Sequence, residues 1–262
     1  MKAALPYILI LVLVFNTLCS CSTETVEQVP MLKSIVEISL DGSSTTTSLR
    51  YNANKIVSID MADTFLEFQY SENFITKIIE TNKISSQKNT LDYTYVNGVL
   101  SKITSSAHYE IIYKSNKDGT ISYEKWSKDA TNLAVRDYYG TLVFQNENLV
   151  KIEKTVEDKQ KKMLLTTTVN CAFDNQKNAL RNILGFDKLL DFSNSISLNN
   201  CILSTQSTTE KYLDDNQIVS SIKRWDSKIQ YNSDGYPTEI VSEKGFFGQA
   251  NAKHLKSQLF YN

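Results

Sequence analysis

Three prolines and eight glycines in 262 residues are too few for a collagen-like or linker-like chain. Four cysteines, two of them at positions 19 and 21, exclude a disulfide-dense scaffold. Histidine is scarcer still: His108 and His254 are the two present, and neither stands in a paired metal spacing such as H-E-x-x-H. A G-x-S-x-G elbow and a phosphate-binding P-loop are also missing. Zinc hydrolysis and serine-type catalysis therefore fit poorly, and no cofactor or metal site is expected. Charge of neither sign dominates; the formal net charge is −1, which gives nucleic acid nothing to bind. Aromatics, by contrast, are plentiful. Fourteen Tyr and eleven Phe, among many Thr, Ile and Val, favour strands over helices.

The N-terminus has its own logic. Lys2 precedes an apolar run from Ala3 to Leu18, broken by Pro6 and the Asn16-Thr17 pair, too short for a trustworthy membrane span and better suited to an export signal. Leu18-Cys19-Ser20-Cys21 closes that run and resembles the lipobox of bacterial lipoproteins, with Leu three before the cysteine and small Ser just before it. The resemblance implies a signal peptide over 1–20 and a Cys21 acylated on sulfur and nitrogen, whose several acyl chains anchor the chain to a membrane. Ser22 in place of Asp points, by the Gram-negative sorting pattern, to the outer membrane. Residues 21–30 are polar and carry Glu24 and Glu27, as a flexible tether would, and 31–262 is expected to form a single β-rich domain.

Along that domain period-two alternation recurs. Leu66, Phe68 and Tyr70 alternate with Glu67 and Gln69, and Leu91, Tyr93 and Tyr95 alternate with Asp92 and Thr94. Such segments predict half-buried antiparallel strands. Asp41-Gly42 marks one hairpin turn, and the charged stretch Glu157–Lys162 another, between strands over Leu149–Val156 and Met163–Asn170. A degenerate repeat is more informative. An aromatic is followed five residues later by an apolar residue and eight later by Ile, in Tyr51-Ile56-Ile59, Tyr70-Ile75-Ile78, Tyr95-Leu100-Ile103 and Phe144-Leu149-Ile152. Offsets of five and eight have opposite parity and would face opposite sides of an unbroken strand. Either a β-bulge intervenes, or both faces of the sheet are partly covered.

A fifth copy, from Tyr231 to Ile240, is one residue longer. Tyr231, Gly235, Thr238 and Ile240 resemble the tyrosine-aspartate (YD, RHS-type) repeat, with Asn232 in place of its Asp, and the mature chain is similar to the uncharacterised Bacteroidetes lipoproteins that contain such hairpins. The resemblance implies a curved antiparallel meander, an open sheet or barrel-like, and no particular activity. One segment departs from the β pattern: over 176–191, Leu180, Ile183 and Leu184 have helical spacing before Gly185 interrupts, predicting a short helix, two capped turns or an ordered loop covering a face or end of the sheet. A membrane-spanning barrel is not expected, because charged and amide residues interrupt both faces in Tyr109–Lys117 and Ser220–Gln230.

Candidate binding residues are aromatics beside polar or flexible neighbours: Trp126, Trp225, Tyr138, Tyr139, and Phe246 with Phe247 in a Gly-Phe-Phe-Gly loop. Core or cross-strand packing is the usual role of such aromatics in a β-rich chain, and the Gly-Phe-Phe-Gly loop departs from it most, since flanking glycines disfavour a strand interior. Cys171 and Cys201 flank the non-β segment and could pair in an oxidising compartment or stay as buried thiols. The chain thus reads as a non-enzymatic envelope lipoprotein that binds or scaffolds a glycan or an envelope protein. The alternatives are a carboxylate-dependent glycan hydrolase, which would need two converging carboxyl groups, and a purely structural envelope component.

Overall fold

The structure, a computed structural model, describes residues 29–192, 196–247 and 250–262; the leader, Cys21 and most of the tether lie outside the described residues. The first half of the chain forms β1 (Leu32–Ile38), β2 (Ser44–Asn52), β3 (Lys55–Asp60), β4 (Thr64–Ser71), β5 (Phe74–Asn82), β6 (Lys88–Val96), β7 (Val99–Ser105), β8 (Tyr109–Ser115) and β9 (Ile121–Lys128). The second half forms β10 (Ala134–Gln145), β11 (Asn148–Asp158), β12 (Met163–Phe173), β13 (Cys201–Tyr212), β14 (Ile218–Asp226), β15 (Lys228–Tyr231), β16 (Pro237–Lys244) and β17 (Ala250–Tyr261). Consecutive strands pair antiparallel, and β1 pairs with both β2 and β17, so the meander curls onto itself. The ring is interrupted at one point, where β14 pairs with β13 and β15 with β16 across the break at Ser227. The result is a nearly closed barrel, an all-β antiparallel meander as the alternation predicts.

The parity problem in the repeat is resolved by bulges. In every copy the register shifts at the aromatic, between Arg50 and Tyr51, Gln69 and Tyr70, Thr94 and Tyr95, Val143 and Phe144, and Gln230 and Tyr231. Tyr51 then pairs with Ile56 and Leu49 with Ile59; Tyr70 pairs with Ile75 and Phe68 with Ile78. The extra residue lets the positions five and eight after the aromatic share the inner face. Each bulge also sharpens the local twist, which helps the sheet curl. The aromatics lock neighbouring hairpins together: Tyr51 Oη donates to Leu32 O at 2.7 Å, Tyr95 Oη to Ile75 O at 2.9 Å and Tyr261 Oη to Pro237 O at 2.8 Å. Tyr70 Oη accepts from the Ile56 amide at 3.1 Å and donates to Leu184 O at 3.1 Å.

The segment between β12 and β13 covers the inner face of the sheet, at one end of the barrel. The helical spacing produces a single 3-10 turn, Phe186–Lys188, with irregular chain around it. Gly185, at φ 74°, stands at the N-cap of that turn, and an added Cβ there would lie 2.6 Å from Asn73 O. Leu180, Ile183, Phe186 and Leu189 are buried against Ile56, Ile59, Ile75, Ile78 and Ile103 of the wall. Each of these side chains stabilises the fold by roughly 1.5–3 kcal/mol on full burial. The plug is tied to the tight turns: the Leu184 amide donates to Asn54 O, Lys177 to Gly235 O and Leu198 to Glu147 O. Asn182 Nδ2 donates to Pro30 O and to Tyr236 Oη, both at 2.8 Å. The plugged end is therefore also the end where the chain enters and leaves the barrel.

The outer face carries charged pairs among scattered exposed apolar side chains such as Val57 and Ile112. Lys77 and Asp92 lie opposite each other across β5 and β6 at 2.7 Å, and Lys102–Glu110, Arg136–Glu124 and Lys256–Glu239 form comparable pairs around the wall. Exposed pairs of this kind contribute at most about 1 kcal/mol each. Their importance is in showing which face of the sheet is wet.

Candidate ligand site in the barrel lumen

The two sides of the lumen are filled differently. Around β3, β5 and β7 large isoleucines pack against the plug. Around β13, β16 and β17 the inner face carries Ser204, Ser242 and Ser257, joined by Ser227 and Gly245, and small side chains leave a cavity of about 130 Å³. Leu149, Ile152, Val169, Phe173, Ile229, Ile240 and Phe246 supply its apolar wall, while Cys171, Cys201, Trp225 and Lys244 also line it. A second cavity of about 370 Å³ adjoins it, sharing Ile152, Val169, Trp225 and Lys244. Tyr113, Tyr123, Tyr138, Lys154, Thr167, Gln206 and Asp191 also line it, beside apolar Ile111, Leu142 and Leu190. Together they have the features of a small-molecule site: a mostly apolar concavity with a few convergent polar groups.

Three tyrosines make one wall. Ring centroids of Tyr113 and Tyr123 are 6.1 Å apart in a stacked arrangement, and Tyr123 meets Tyr138 edge-on at 6.0 Å. Gly140 makes this possible: a Cβ there would lie 1.8 Å from Glu153 O and 2.8 Å from the Tyr123 ring. The Tyr123 ring crosses the strand at that point and donates from Oη to Glu153 O at 2.9 Å. Two lysines rest on aromatic faces. Lys154 Nζ lies 4.4 Å from the centroid of Tyr138, and Lys244 Nζ lies 4.0 Å from that of Trp225 and 3.1 Å from Ser204 Oγ. Burial holds the Lys244 ammonium below the usual lysine range.

Asp191, contributed by the plug, is the least satisfied group in the site. Tyr93 Oη donates to its Oδ2 at 2.7 Å. Its Oδ1 is shut off from solvent and is the one buried side-chain oxygen or nitrogen without a partner among the described residues. The residue as a whole keeps some exposure, so the unsatisfied atom is the buried part of a side chain that lines the cavity. Burial raises its carboxyl pKa from 3.8 to about 6, against the opposing pull of the Tyr93 hydrogen bond.

The structure distributes the aromatic candidates unevenly. Tyr138, Trp225 and Phe246 line the lumen. Phe247 packs partly buried on the core, edge-on to Phe246 at 5.1 Å. Trp126 and Tyr139 stand on the outer face with the Arg136 guanidinium 5.9 and 4.4 Å from their ring centroids. Cys171 and Cys201 are both free thiols at the lumen wall. Cys201 Sγ donates to Leu203 O at 3.3 Å, and the neighbouring Cys201 thiol, with the Lys244 ammonium, holds Cys171 below the usual thiol range. Cys21 lies outside the described residues. Sequence reasoning missed Tyr113, Tyr123, Lys154, Lys244 and Asp191. The signal that points to the two tyrosines is period-two parity, since both fall on the inner face of their strands.

The fold and cavity define a class: a lumen-bearing antiparallel β-barrel, plugged at the end where its termini meet. No family profile matches the chain, and no curated protein does. Among solved structures it is similar to a porin-like protein from Bacteroides vulgatus ATCC 8482, with 11% identity, a TM-score of 0.56, and coverage of 89% of this chain and 99% of that one. A porin-like protein from Bacteroides uniformis ATCC 8492 also matches, with 9% identity, a TM-score of 0.49, and coverage of 88% and 98%. At such identity the likeness is one of fold.

Proposed function

We propose that the protein is an outer-membrane lipoprotein, held through Cys21, whose barrel takes a small ligand into its lumen without transforming it. The observation that carries this is the two-part cavity, in which apolar and aromatic walls meet Lys244 and, in the second part, Lys154 and Asp191. Asp191 is the single carboxyl in the lining of either cavity, whereas glycoside hydrolysis uses a pair, which favours binding over catalysis. The charged pairs around the outer wall argue for a barrel in water rather than in lipid, since a charge at mid-bilayer costs about 2–4 kcal/mol.

The test uses the full chain in lipid nanodiscs with Trp126→Phe, so that Trp225 is the sole tryptophan reporter. Neutral oligosaccharides, aryl alcohols and aryl carboxylates are titrated in turn. A ligand of the lumen changes Trp225 emission saturably and loses its effect when Ser242→Phe fills the cavity. A flat response across all three classes refutes the proposal.

A further inference from the structure

We infer that the lumen ligand is a small amphipathic carboxylate that also carries a hydrogen-bond donor, with its charge held between Lys154 and Lys244 and its donor on Asp191. The inference rests on the lumen being the binding site. Its first support is the pair of lysines. Most of the chain's ion pairs sit on the outer wall or in turns, yet Lys154 and Lys244, which line the cavity, have no carboxylate within ion-pairing distance among the described residues. Two cations line one concavity and neither is paired with Asp191, the one carboxyl there, which suits an anionic guest; a pair formed at half-buried Lys244 is less screened than one at exposed Lys154.

The aromatic faces supply the second support. A neutral sugar stacks on an open ring face, but Lys154 already lies over Tyr138 and Lys244 over Trp225. The remaining apolar surface, from Ile152, Val169 and Phe246, fits an aliphatic or aryl body that need not stack. Third, Asp191 lines that cavity while its Oδ1, shut off from the space, has nothing to accept, so a ligand donor meets it when the side chain turns outward. Leaving such an atom empty costs about 1–3 kcal/mol, which a hydroxyl or ammonium of the ligand would recover. The guest is thus acidic at one point, hydrogen-bond donating at another and apolar between them.

Three probes separate these claims on the same Trp225 reporter: 3-(4-hydroxyphenyl)propionate, its neutral primary amide, and its 4-methoxy analogue, which has lost the phenolic donor. We expect the acid to bind at least about tenfold more tightly than the amide, as a charge-assisted hydrogen bond requires. That preference should vanish in Lys244→Met and Lys154→Met, which keep the apolar stem of each side chain; either variant suffices if the other fails to fold. The methoxy analogue should bind several-fold more weakly than the phenol. If acid and amide bind alike, or phenol and methoxy ether bind alike, the inference is overturned while the lumen remains the ligand site. If neither these probes nor the neutral oligosaccharides alter Trp225 emission, the lumen reading itself falls.

Discussion

Asp191 offers the sharpest test of the physical account, because its carboxyl should make the protein less stable as it ionises. In the folded protein its pKa rises to about 6 from an ordinary 3.8, burial being the main cause. Below pH 3.8 it is protonated in both states and costs nothing. As pH rises towards 6 the unfolded chain releases the proton while the folded one retains it, so stability falls across that window and is level above it. A shift of about two units corresponds to about 3 kcal/mol, and about 2 kcal/mol is reasonable given the residue's remaining exposure. For a domain of this size that is roughly 4–8 °C in Tm. Asp191→Asn, which cannot ionise, should be more stable than the wild type by this amount at pH 8, with the advantage shrinking to near zero at pH 3.5. Urea unfolding of both proteins at the two pH values measures the difference directly, and subtracting one protein from the other cancels every other titrating group. An advantage independent of pH would refute the reasoning, since it would mean that the carboxylate is solvated in the fold.

Other perturbations follow from the packing. Gly140→Ala should cost at least about 3 kcal/mol in urea unfolding, because its Cβ would overlap Glu153 O and the Tyr123 ring; a cost under 1 kcal/mol would show that the strand has room to move. Tyr70→Phe strips a partner from the Ile56 amide and from Leu184 O and should cost about 1–3 kcal/mol. Phe186→Ala should cost about 3–5 kcal/mol by opening a void between plug and wall. Cys21→Ala should abolish incorporation of labelled palmitate and release the protein from the membrane fraction, and continued membrane association would count against the lipid anchor.

How much of this was legible in the chain itself can be judged element by element. Strict alternation in Leu66–Tyr70 and Leu91–Tyr95 determined strands with one apolar face, because the side-chain period of a strand is two whatever its neighbours are. The mixed parity of Tyr51, Ile56 and Ile59 carried the bulge, since no unbroken hairpin can place both isoleucines on the face of the tyrosine. Residues 176–191 were marked as different from their surroundings, but their position inside the barrel was not written in their local spacing. That depended on the wall curling far enough to enclose them, and closure rests on β1 meeting β17 across more than two hundred residues. The cavity was equally invisible in the sequence. Lys154, Asp191, Ser204, Trp225 and Lys244 belong to five separate elements, and each by itself is an unremarkable residue of a strand or loop. Local sequence determined which face of each strand would be dry. Only the tertiary structure decided where large side chains meet small ones across the lumen, and hence where a space lined by Lys154, Asp191, Trp225 and Lys244 was left.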